Sequence, residues 1–148
     1  MIRTLVFIVA MVSSFALVAS SISIAQIVFA QQIAMDVNRP AGDKPFGGEK
    51  IGTVTIIPNG HVVNIVASMS SAPDQGKVWE AWFVDAGGSG YKLSLGEFAK
   101  NGTLQLTEQM VNPYTYTQFI VTQEPFEDTD PNAAGASGGA QLQAPFGR

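Results

Sequence analysis

An antiparallel β-sandwich of about seven strands is the fold this sequence predicts. Three observations predict it. From Ile51 onward the apolar residues recur with a period of two rather than 3.6. Asn-Gly pairs at Asn59-Gly60 and Asn101-Gly102 punctuate β-branched runs, as tight hairpin turns do. Only 14% of residues are charged, which suits stacked sheets with small polar surfaces better than a solvated helical bundle. The expected architecture is all-β and Ig-like, two sheets face to face, preceded by an N-terminal hydrophobic helix.

The elements follow in chain order. Residues 4–35 carry no charge, and only Arg3 and the amino terminus precede them. A charged start, an apolar run and a small-residue exit make an export signal. Two readings stand. Residues 1–30 are either a signal peptide cut before Gln26 or Gln31, or an uncleaved anchor, which as a helix from Leu5 to Ala30 would be about 39 Å long. Both place the rest outside the cytoplasmic membrane. Residues 31–50 read as a linker, punctuated by Arg39-Pro40, Lys44-Pro45 and Gly47-Gly48. Residues 51–148 form the β domain.

Within it, Val54 and Ile56 alternate with Thr53 and Thr55, and the turn Pro58-Asn59-Gly60 follows. Then Val63, Ile65, Ala67 and Met69 alternate with Val62, Asn64, Val66 and Ser68. Residues 70–76 are a loop. Residues 78–84 are apolar on both faces except at Glu80, which predicts a central strand covered on both sides. Residues 85–90, with three glycines, read as a flexible loop. A strand through Leu93 and Leu95 reaches Phe98, and Asn101-Gly102 reads as a second hairpin turn into residues 103–107. Residues 119–122 make the next strand, an acidic loop spans 124–138, and residues 140–142 close the fold.

Composition excludes several chemistries. There are no cysteines, hence no disulfide framework, thiolate metal site, iron–sulfur cluster or cysteine nucleophile. The net charge is −4 and the lysines are scattered, so nucleic acid is not an expected partner. The single histidine, His61, sits at a turn. It lacks the second histidine and cysteine of a blue-copper site and the Gly-x-Ser-x-Gly elbow of a hydrolase triad. The expectation is no enzyme and no cofactor.

Three landmarks stand in order: Val78-Trp79-Glu80-Ala81-Trp82-Phe83-Val84, Leu93-Ser94-Leu95-Gly96-Glu97-Phe98 and Phe119-Ile120-Val121-Thr122-Gln123-Glu124-Pro125. With the loop after Pro125 and the closing Gly139-Ala140-Gln141-Leu142, they resemble the extracytoplasmic C-terminal domain of anti-sigma-K factors. That family has a Trp-bearing strand, a Leu-Gly-x-Phe strand and a Val-Thr-x-Glu-Pro strand in this order. The resemblance covers about residues 52–142 and implies an outer sensory or scaffold module. Two departures qualify it. Whole anti-sigma-K factors carry a cytoplasmic sigma-binding domain, often with a His/Cys zinc motif; here only residues 1–4 precede the apolar stretch, so the resemblance does not imply sigma-factor inhibition. The family loop after Glu-Pro is glycine-rich, whereas here it is Phe126-Glu127-Asp128-Thr129-Asp130-Pro131.

Several residues are candidates for contact. Trp79 shares a face with Ala81 and Phe83 and is expected in the core. Trp82 points the other way and becomes a contact residue if that face is open. Glu124, Phe126, Glu127, Asp128 and Asp130 complete a candidate contact surface. A solvated acidic turn is preferred there over a Ca²⁺ site, since no Asp-x-Asp-x-Asp-Gly pattern is present. Asn101-Gly102-Thr103 is a glycosylation sequon as well as a turn. Tyr114 and Tyr116 share a face and are expected to pack at the sheet edge.

The leading expectation is therefore a non-catalytic, exported or membrane-tethered module. It would act by protein–protein or envelope contact, touching the membrane through its N-terminal segment if uncleaved. The alternatives are a self-assembling cell-surface protein and an exported metal- or small-ligand-binding protein.

Overall fold

The computed structural model describes residues 31–143. The expected N-terminal signal or anchor, residues 1–30, lies outside the described residues. Eight strands follow one another: β1 (Ile33–Asn38), β2 (Lys50–Asn59), β3 (Val62–Met69), β4 (Lys77–Val84), β5 (Lys92–Glu97), β6 (Thr103–Gln109), β7 (Gln118–Pro125) and β8 (Ala136–Gln141). One 3-10 turn, Pro113–Thr115, lies between β6 and β7. Every strand pair is antiparallel.

The strands form a single sheet in the order β5-β4-β7-β8-β1-β2-β3-β6. The all-β, antiparallel class is as expected; in place of two separate sheets the structure has one, curled on itself into a nearly closed barrel. Two facts establish the curl. A single core draws on both ends of the sheet, with Val54, Ile65 and Leu104 in the same cluster as Trp79, Phe83 and Phe119. The two edge strands, β5 and β6, are also joined by only residues 98–102. Such a link spans at most roughly 20 Å, so the opposite edges must approach each other.

The expected alternation holds through β2 and β3, whose Val54, Ile56, Val63, Ile65, Ala67 and Met69 are all buried. β4 is central, flanked by β5 and β7. Both its faces are covered: Trp79, Ala81 and Phe83 enter the main core. Trp82 and Val84 form a second cluster with Ile120, under Phe46 and Ala133.

Three expectations are corrected. Residues 31–50 are not simply a linker, because β1 lies within them. Its Ile33, Met35 and Val37 alternate with Ala34, Asp36 and Asn38, and Val37 is fully buried. This strand joins the halves of the sheet, pairing along its length with β2 and with β8 through Asn38↔Gly139. Secondly, the first hairpin turns one residue late. Asn59 pairs with Val62, so Gly60-His61 are the central residues, and Gly60 takes a φ of +61°. Glycine at the first central position suits the twist of the flanking strands. Thirdly, Asn101-Gly102 is a turn but not a hairpin. β5 pairs only with β4 and β6 only with β3, so the turn, closed by Gly102 N–H donating to the Ala99 carbonyl (2.8 Å), links the two edges.

The loop after β4 is knitted rather than loose: Asp85 Oδ2 accepts from both the N–H and the hydroxyl of Ser89 (2.9 Å each). These bonds hold the Asp85 carboxyl below its usual range. Tyr114 and Tyr116 pack against the core, as expected of edge residues. They do so around the 3-10 turn, and Tyr116 stacks on Phe83 with ring centroids 5.5 Å apart.

Candidate binding cleft

The pairing pattern sorts the loops to two ends of the barrel. Residues 39–49, 70–76, 98–102 and 126–135 gather where β3, β5 and β7 finish. Residues 60–61, 85–91 and 110–117 lie at the other end. β1 enters from that second end, since Ile33 pairs with Ile56 close to the Gly60-His61 turn. The four-loop end therefore lies opposite the entry of the chain.

At the four-loop end is a cleft of about 810 Å³, walled by residues 69–73, 76–79 and 97–102 together with Phe126. Met69, Trp79 and Phe98 all line it and are themselves buried. The Trp79 indole N–H donates to the Ser71 carbonyl (3.0 Å), which fixes both the ring and the first loop. Phe98 N–H donates to the Trp79 carbonyl (2.8 Å) and holds the second wall against β4. Phe126 stands at the mouth, 62% exposed, and its N–H donates to the Gly76 carbonyl (3.2 Å). Lys77, Lys100 and Glu97 supply the charged rim.

The family model described as anti-sigma-K factor rskA, C-terminal, matches residues 5–138. The chain belongs to this family. No curated protein and no solved structure matches it. The residues that carry the anti-sigma-K likeness lie on neighbouring strands, β5, β4, β7 and β8, and the Trp-bearing strand of the family is the one that runs into the cleft.

The named candidates fall into different places in this anti-sigma-K family domain. Trp82 is 3% exposed and does not form open surface. Its indole N–H donates to the Thr122 hydroxyl (3.0 Å), which satisfies both buried groups. Glu124 is also buried, at 3%. Its Oε1 accepts from Ala134 N–H (2.8 Å) and so fastens the 126–135 loop from inside. Phe126, Glu127, Asp128 and Asp130 are exposed. Asp128 Oδ1 accepts from Asp130 N–H (2.9 Å), and Asp130 Oδ1 accepts from Asn132 N–H (3.0 Å) and Nδ2 (2.7 Å). The two bonds from Asn132 hold the Asp130 carboxyl below its usual range. These carboxylates shape their own loop, and no group of three or more His, Cys, Asp or Glu among the described residues is arranged to hold a metal ion. His61 meets the Met110 carbonyl through Nδ1 (3.2 Å) and accepts from Met110 N–H through its own carbonyl (2.8 Å). Asn101 lies on the cleft wall, its Oδ1 accepting from Thr103 N–H (3.1 Å) and hydroxyl (2.7 Å).

Sequence reasoning did not single out Met69, Ser71, Lys77, Phe98 or Lys100 as a group. They lie in separate segments, and the visible signal was limited to an aromatic, Phe126, directly after Pro125.

Below the 126–135 loop, Glu80 stands opposite Glu97 on β5 and Thr122 on β7. Partial burial is the main cause of a carboxyl pushed above its usual range. The hydrogen bond from the Ser94 hydroxyl opposes it, and the Glu124, Glu97 and Asp128 carboxylates add to it. A carboxyl raised in the native state favours folding below the ordinary Glu range, and that contribution is lost as pH rises through the raised value. Glu80→Gln should therefore stabilise the protein near pH 7, by up to about 1 kcal/mol because much of the group is in water. The gain should fade towards about pH 4, where the native Glu is itself neutral. Denaturation at the two pH values checks this; equal gains at both would show that charge is not the cause.

Proposed function

We propose that this chain is a non-catalytic recognition module outside the cytoplasmic membrane, related to the sensory outer part of anti-sigma-K factors, and that it makes contact through its four-loop end. One observation carries the reading: the cleft and its exposed Phe126 lie at the end opposite the entry of β1, so a module held by its N-terminal segment would present them away from the membrane. The uncharged stretch 4–35 supports the extracytoplasmic placement. The non-catalytic reading is supported by how reactive side chains are used. His61 is spent on Met110, Glu124 on Ala134, and Asp128 and Asp130 on their own loop.

The test uses the full-length chain in its native envelope. Partners captured by the wild type and identified by mass spectrometry should be lost with Phe126→Ser and kept with Val111→Ser, since Val111 is exposed at the opposite end. Capture that survives Phe126→Ser but fails with Val111→Ser would move recognition to the wrong end of the barrel.

Self-assembly at the cell surface is the second reading, favoured by the unpaired outer edges of β5 and β6. It requires concentration-dependent oligomers; a monomer in sedimentation across the accessible range would remove it.

A further inference from the structure

We propose that the cleft takes a small molecule with an apolar, ring-sized body and one carboxylate. This rests on the reading of the four-loop end as the recognition site and names its ligand chemistry. The size fits, because clefts of roughly 300–1,000 Å³ enclose ligands of this class and this one measures about 810 Å³. The wall fits too. Met69, Trp79 and Phe98 give the wall a buried apolar backing, and Phe126 leaves most of its ring in water until something covers it. The Trp79 N–H is committed to Ser71, so the indole has no free donor to offer a ligand.

Charge decides the rest. Among the described residues the ion pairs are Arg39–Glu49 and Lys50–Asp36, so Lys77 and Lys100 reach the rim without one. An anion placed there meets two ammonium groups that have no carboxylate to give up. Glu97 shares the rim and leaves one net positive charge on it. That balance favours a monoanion and disfavours a doubly charged phosphate or dicarboxylate, whose second charge would face Glu97. It also works against the protein's own net charge of −4, so the attraction is local and should weaken with salt.

The test uses Trp79 as reporter. The chain has two tryptophans, and Trp82 is held by Thr122 outside the cleft wall. Trp82→Phe in the full-length chain therefore leaves one emitting indole at the site. Phenylbutyrate, phenylbutanol and phenylbutylamine share a body and differ in charge. The acid should shift Trp79 emission saturably and bind about tenfold more tightly than the alcohol, and the amine should be weakest. Lys77→Gln with Lys100→Gln should bring the acid down to the level of the alcohol, with the melting temperature of the ligand-free protein unchanged. Thermal shift of the wild-type chain by the same compounds guards against a Trp82→Phe variant that fails to fold. Equal binding of acid and alcohol, or indifference to loss of both lysines, would overturn the carboxylate while leaving an apolar recognition site. No saturable binding of any of the three would overturn the ligand proposal, and Phe126→Ser in the capture experiment then decides separately whether the recognition reading stands.

Discussion

Phe83→Ala should lower the unfolding free energy by about 3–5 kcal/mol. Phe83 is 0% exposed at the heart of the main core. Its ring meets Phe119 edge-on at 6.1 Å and lies stacked on Tyr116 at 5.5 Å. β4 and β7 supply the first pair and the link between β6 and β7 supplies Tyr116, so truncation opens a hole where three parts of the chain converge. Strands paired on both sides cannot slide inward to fill it, so the cavity persists and its cost adds to the lost burial. A domain of this size has roughly 5–15 kcal/mol in all. The variant should thus unfold at markedly lower denaturant with an unchanged slope. A loss under about 1 kcal/mol would mean that the core relaxes far more than this packing allows.

Gly139→Ala should cost about 1–3 kcal/mol, although alanine adds a single carbon. A Cβ at this position would run into the Phe119 carbonyl on β7 and the ring of Phe46. The ring has some freedom to move, but the carbonyl belongs to the ladder. Gly139 is also the residue through which β8 meets Asn38 of β1. The strain should therefore appear as faster amide exchange in β1 and β8 before the rest of the barrel loosens. Gly135→Ala is the matched control: nothing lies within 4 Å of its added carbon, and its effect should stay within about 0.5 kcal/mol. Chain entropy alone would make both variants slightly more stable, so equal losses in the two would show that the close contacts of Gly139 are not the cause.

These predictions fall on residues whose neighbours the sequence showed only in part. The alternation in β2, β3 and β4 was legible because period-two burial is a local property of the chain. It told that Trp79, Ala81 and Phe83 share one side and Trp82 the other. The two apolar faces of β4 predicted a strand covered on both sides, but not what covers Trp82, because that cover comes from Phe46 and Ala133, far away along the chain. β1 was read into a linker for a related reason. Six alternating residues between an apolar stretch and a Pro/Gly-rich run are weak evidence of a strand until β2 and β8 are seen to claim them. Glu124 looked like part of an acidic surface, yet its partner, Ala134, lies across the loop and turns it inward.

By itself the sequence determined an all-β antiparallel chain, a Trp-bearing central strand, an uncharged leading stretch and the family to which these belong. Each of these is written in neighbouring residues, through periodicity, composition or a short ordered motif. Tertiary structure alone decided that one sheet curls until its edges nearly meet, which indole is sealed beneath loops, and that Met69, Trp79, Phe98 and Phe126 converge at one end. Those outcomes depend on segments tens of residues apart choosing each other, and burial of shared apolar surface, not local preference, makes that choice.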